Sequence, residues 1–193
     1  SLPHRVATVM RAWEARRRAP DLIAAALVDI DAAGGAHGTI VPTDLSTYRS
    51  AADWIARPPF VVGAAQSWTR RLFDRYGPLR AGVVGEDLIM VLRAIGAGGA
   101  VTLAEPLVQY RRGGISRRVR NLDAASVIAR LRKNARGALA EIPQLLADAA
   151  TMGQLAAVEP ELRRRLARER FVLAALDAGS ASATLRAVLA ARD

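Results

Sequence analysis

The chain has 193 residues and a formal charge of +10; it is 51% apolar but only 5% aromatic, so its core must come from Ala, Leu, Val and Ile. The absence of cysteine excludes disulfides, iron–sulfur clusters, thiolate zinc sites and cysteine nucleophiles, and two histidines far apart, His4 and His37, argue against a histidine-rich metal site. The longest unbroken apolar run, residues 22–28, is far short of the ~20 residues that span a bilayer, and no basic-then-apolar leader pattern opens the chain, so a cytoplasmic location, at most peripheral to a membrane, is expected.

Residues 4–18 read as a helix in which Val6, Val9, Met10 and Trp13 make one apolar stripe, and Pro20 stops it. Residues 22–30 are a compact apolar run ended by Asp31-Ala32-Ala33-Gly34-Gly35, the pattern of a strand entering a tight turn. A return strand is expected at 38–41. A short helix at 47–56 is broken by Arg57-Pro58-Pro59, because proline lacks a donor and fixes φ. A short strand at 60–64 precedes a helix at 69–76 that Gly77-Pro78 closes. Residues 86–95 carry the clearest helical pattern: Leu88, Val91, Leu92 and Ile95 share a face, and Glu86 and Asp87 open the helix. Strands are expected at 100–103 and 107–110, separated by Glu105-Pro106.

Near residue 120 the chain changes character, from short mixed segments to stretches that read as helix throughout, at about 122–140, 143–151, 159–178 and 181–191. Pro143 and Pro160 are expected in first turns, where a missing N–H costs nothing. The fold class is therefore α/β, with a mixed-sheet part over residues 1–120 and a helical region over 121–193.

Several groups carry chemistry. Glu86 and Asp87 sit where unsatisfied N–H groups favour anions, which suits either a plain helix cap or a carboxylate that faces a cleft and takes a proton. Gly63, Ala64 and Ala65 have little or no side chain and let backbone approach a ligand closely. Trp68 beside them is read either as a stacking platform or as core. Arg111, Arg112, Arg117 and Arg118 flank Gly113-Gly114 with no acidic residue between them; such a loop is either solvated or built to close over a diphosphate, whose oxygens match guanidinium forks.

The order of these pieces is more telling than any one of them. Gly63-Ala64-Ala65-Gln66 is followed by Thr69-Arg70-Arg71-Leu72-Phe73-Asp74-Arg75-Tyr76-Gly77, then by Gly85-Glu86-Asp87-Leu88 and Arg93-Ala94-Ile95-Gly96. Glu105-Pro106-Leu107-Val108-Gln109-Tyr110-Arg111-Arg112-Gly113-Gly114-Ile115-Ser116 completes the series. Over roughly residues 20–118 this resembles the second, acceptor-side half of a family 2 glycosyltransferase with the GT-A fold. The resemblance implies a partial GT-A sheet and transfer of a sugar from a nucleotide-sugar donor to an acceptor hydroxyl. Asp87 would be the catalytic base with Glu86 beside it. Gly63, Ala64, Ala65 and Trp68 would contact substrate, and the four arginines the diphosphate.

The complete enzyme would use a divalent metal, Mg or Mn, but no metal is assigned to this chain. Asp29-Ile30-Asp31 has the letters of the family's metal-holding Asp-x-Asp, yet its place before Ala32-Ala33-Gly34-Gly35 reads as a strand end and turn. The nucleotide-binding units of such an enzyme precede everything seen here, so the chain is expected to lack that half and to be inactive alone. A half-sheet also exposes apolar surface, which favours self-association into a homo-oligomer.

The rival class is a non-enzymatic binding module. Of the 28 basic residues 27 are arginine, against 40 alanines, which reflects either a compositional bias or a surface that meets anions. Glu161, Arg164, Arg165 and Arg168 share a helical face, with Arg163 beside them, and would make a basic amphipathic helix for an anionic membrane surface. Nucleic acid is not an expected partner, because no aromatic is interleaved with the densest basic stretches.

Overall fold

The computed structural model describes residues 1–111 and 123–178. They form two compact units: one holds residues 1–78 with the chain from Glu86 to Arg111, the other holds residues 79–85 with the C-terminal helices.

The first unit is built on β1 (Leu22–Ile30), whose first six residues are all buried. A nearly unbroken apolar strand is what a sheet covered on both faces requires. One edge of β1 pairs in parallel with β4 (Ala100–Arg111) along its whole length. The other edge is shared by two antiparallel strands. Here β2 (Ala36–Ile40) pairs with residues 27–30, and β3 (Gln66–Trp68) with residues 22–24. The result is a mixed four-stranded sheet. The helices of this unit are α1 (Arg5–Ala15), α2 (Ala51–Ala56), α3 (Arg70–Tyr76) and α4 (Glu86–Ile95), and α4 packs against β1, β4, α2 and α3. Residues 89–95 of α4 are buried throughout, wider than the four-residue stripe the sequence displays.

Three local expectations change. The strand expected at 60–64 lies instead at Gln66–Trp68. Thr43 and Phe60 exchange hydrogen bonds at 2.9 Å, and Gly63–Ala65 is a 3-10 turn, so pairing with β1 begins only after it. The two strands around Glu105-Pro106 are one strand, β4. Its register against β1 shifts between Ala25 and Leu27, and such a bulge accommodates a proline that cannot donate to the ladder. The helix expected at 47–56 is a 3-10 turn, Leu45–Thr47, followed by α2, which Ser50 and Asp53 close with reciprocal side-chain-to-backbone bonds.

Arg93 is a charged side chain with no exposure at all. Its Nη1 donates to the Gly77 carbonyl at 2.9 Å, and its guanidinium lies 5.4 Å from the Tyr76 ring centre. Gly77 itself has φ +69°, a backbone angle that favours glycine, and it closes α3. Arg93→Met is expected to lower stability by about 2 kcal/mol, because it strands a carbonyl in the interior. Urea denaturation of the purified variant checks this.

In the second unit, α5 (Ala124–Thr151) and α6 (Leu155–Asp177) are joined by a short turn and pack together. Pro143 and Pro160 do not start helices but lie within them. An interior proline costs about 3 kcal/mol. Burial of Ala135, Ile142, Leu145 and Ala149 on α5, and of Val158 and Leu162 on α6, offsets that cost. Residues 79–85 join this unit through Gln144, whose Oε1 accepts the Arg80 N–H at 3.0 Å, and Glu141, whose Oε1 accepts the Gly85 N–H at 2.8 Å. The helix expected at 181–191 lies outside the described residues.

Candidate active site

The N-terminus of α4 and the turn before β3 meet in the first unit. Arg5 on α1 holds the turn from one side: Nη1 donates to the Ala64 carbonyl at 3.0 Å and Nη2 to the Gln66 carbonyl at 2.8 Å. Gln66 is buried and ties the turn to α4, its Nε2 donating to the Asp87 carbonyl oxygen at 3.1 Å. Its own Oε1 is buried with no hydrogen-bond partner among the described residues.

Gly63 lies directly against the two carboxylates. A methyl group in place of its hydrogen would come within 3.3 Å of Asp87 Cβ, 3.6 Å of Glu86 Oε1 and 3.9 Å of Asp87 Oδ2. That contact is tight, and a side chain here would require Asp87 to shift by a few tenths of an ångström. Asp87 Oδ1 accepts the N–H of its neighbour Leu88 at 2.8 Å, rather than those of Ile89 or Met90, where a helix cap would bond. Burial of the Asp87 carboxyl pushes its pKa above the ordinary aspartate range, and the Glu86 charge adds to the rise. The N–H groups of Leu88 and Gly63 oppose both effects without cancelling them. A half-buried carboxylate with a raised pKa, at the start of a helix and facing bare backbone, has the chemistry of a proton acceptor.

The other expected residues go elsewhere. Trp68 ends β3 and is 40% exposed, its ring tilted against Phe73 with centres 6.3 Å apart. It lines a largely apolar cleft of about 390 Å³ with Val6, Val9, Met10 and Trp13 of α1, so the α1 stripe borders a cavity and is not sealed into the core. Arg111 ends β4 and donates through Nη1 to the carbonyls of Asp31 and Ala32, tying β4 to the β1–β2 turn. Arg112, Arg117 and Arg118 lie outside the described residues.

The Asp31 carboxylate builds that turn. Oδ1 accepts the N–H groups of Ala33 at 2.9 Å and Gly35 at 2.8 Å, and Oδ2 lies 3.1 Å from His37 Nε2. The Gly35 N–H and the His37 contact hold its pKa below the usual carboxylate range. A carboxylate occupied in this way does not fit a divalent metal. Among the described residues no group of three or more His, Asp or Glu side chains is placed to hold a metal ion.

Two participants carry no signal of their own in the sequence. Arg5 and Gln66 position the turn, but a lone arginine on a helix and a lone glutamine after Gly-Ala-Ala are unremarkable until the chain folds. No family model, no curated protein and no solved structure matches the chain.

Proposed function

We propose that this chain carries the acceptor-side site of an inverting glycosyltransferase of the family 2 type, with Asp87 as the base that deprotonates an acceptor hydroxyl. The observation that carries the reading is the Asp87 carboxyl itself: half-buried, raised in pKa and set against the Gly63 turn. The ordered series of motifs from Gly63 to Ser116 supports it independently. In this reading the hydroxyl oxygen attacks the anomeric carbon of a nucleotide-sugar as Asp87 takes the proton, and the nucleoside diphosphate leaves. Glu86 orients the acceptor and, by its charge, keeps Asp87 basic. Gly63 lets the turn lie close against both carboxylates.

The test is a pH profile of sugar transfer by the full-length polypeptide, using a panel of nucleotide-sugars and release of nucleoside diphosphate as the readout. A base must be ionised to act, so kcat/KM should rise with pH through the Asp87 pKa and level off above it. Because that pKa is raised, the inflection should fall above the ordinary aspartate range. Failure of every donor in the panel, or a rate that does not change across this limb, would count against the proposal.

A further inference from the structure

The basic residues of the second unit divide into two groups. Four of the five arginines on α6 pair within the helix: Arg163 bonds Glu159 at 2.6 Å, Arg165 bonds Glu161 at 2.8 Å, Arg168 bonds Glu169 at 2.6 Å, and Arg164 also contacts Glu161, while Arg170 makes no ion pair with the described residues. The α6 face that reads as basic in sequence is therefore a ladder of ion pairs. On α5 the situation is reversed. Between Ala124 and Ala140 it carries Arg130, Arg132, Lys133 and Arg136 and no acidic residue. Arg132 is spent on α6, with Nη2 bonding the Leu176 carbonyl at 2.7 Å and reaching Asp177 at 3.2 Å. Lys133 and Arg136 make no ion pair with the described residues.

Lys133 and Arg136 line an open groove of about 570 Å³ between α5 and the 82–84 segment, floored by Gly82, Gly137 and Ala140 and edged by Val84. One carboxylate, Glu141, stands at its end, where it accepts the Gly85 N–H. Near these cations apolar side chains stand in solvent: Val84, at the groove's edge, is 61% exposed, and Ile128, two turns before Arg136, is 38% exposed. Ile128, Arg132 and Arg136 succeed one another at four-residue spacing and so lie along one line of the helix. Exposed aliphatic residues beside cations that have no ion pair among the described residues match the bilayer interface, where aliphatic groups enter the acyl boundary and cations rest among lipid phosphates. Single-stranded nucleic acid would gain from aromatic stacking platforms, and the only aromatic residue of this unit is Phe171, on α6.

We propose that the Val84–Lys133–Arg136 surface docks the protein on an anionic lipid bilayer, with the α6 arginines taking no part. The test is co-sedimentation of the full chain with phosphatidylcholine vesicles, with and without phosphatidylserine. Binding is expected only to the anionic vesicles. Lys133→Glu with Arg136→Glu should weaken it about tenfold or more, whereas Arg163→Glu with Arg164→Glu should leave it within about twofold. Val84→Ser removes no charge and should still lower vesicle affinity, and circular dichroism confirms that each variant is folded. Three results would overturn the proposal: no binding to anionic vesicles, equal loss from the α5 and α6 reversals, or tight binding of single-stranded RNA that Val84→Ser leaves unchanged while vesicles are ignored.

Discussion

Asp87→Asn is expected to reduce sugar transfer by the full-length polypeptide about 10²- to 10⁴-fold, the usual contribution of a general base, while leaving the fold intact. Asparagine keeps an oxygen for the Leu88 N–H, so the local hydrogen bond survives. The stability argument has a definite sign. The folded pKa of Asp87 lies above its unfolded value, so the native state binds this proton more tightly, and ionising the group costs stability as pH rises through the folded pKa. At neutral pH that cost is fully present in the wild type and absent from Asp87→Asn. The variant should therefore melt at the wild-type temperature or slightly above it, and the difference should disappear as pH falls below the unfolded value. Asparagine also caps well, so a cap and a base predict similar melts and the transfer assay separates the two roles. A variant that retains turnover would remove Asp87 from the chemistry.

The largest loss of stability is expected at the junction of β1 with the end of α4. Asp21 is 3% exposed and acts as a hub. Its Oδ1 accepts from Arg71 at 2.8 Å and from the Thr69 hydroxyl, while Oδ2 accepts the Gly98 N–H at 2.7 Å. Asp21→Ala leaves the Gly98 N–H and the Thr69 hydroxyl without their acceptor and should cost about 3 kcal/mol, roughly 10 °C in melting temperature. Asp21→Asn keeps an acceptor but loses the charge opposite Arg71, and should cost about half as much. Gly98→Ala probes the same junction from the other side. A methyl group there would lie 2.0 Å from the Ala19 carbonyl oxygen and 2.7 Å from Asp21 Oδ2, so backbone must move. Its cost should also be about 3 kcal/mol. Chemical denaturation checks all three, and a loss below about 1 kcal/mol for Asp21→Ala would refute the hub role.

Some of this architecture is legible residue by residue. The apolar run of β1, the stripe and acidic start of α4, and the glycine that closes α3 are all local signals, each carried by a stretch no longer than one element. Asp31 could likewise be read as a turn former, because an aspartate before Ala-Ala-Gly-Gly bonds N–H groups only two and four residues on. Motif order sets Gly63 and Glu86-Asp87 in one series, but that Gly63 lies against both carboxylates is seen only in the fold. Other features needed the fold. In sequence Pro106 marks a strand end because proline cannot donate, but the continuous β1 partner carries the ladder past it as a bulge. Pro143 and Pro160 have the pattern of helix starts, yet packing between α5 and α6 carries both helices through them.

By itself, then, the amino-acid sequence determined the element types, the change from mixed sheet to helices, and the order in which the chemical groups occur. Tertiary structure alone decided which of those groups have partners. Asp21 finds Gly98 across 77 positions, Arg5 finds Gln66 across 61, and Arg111 finds Asp31 across 80. It also decided that α6 engages Arg132 while Lys133 and Arg136 remain open to solvent. The reason is physical: helix and strand periodicity report which face of a segment is apolar. A hydrogen bond or ion pair depends on atoms within about 3 Å, and only the folded chain brings distant residues that close.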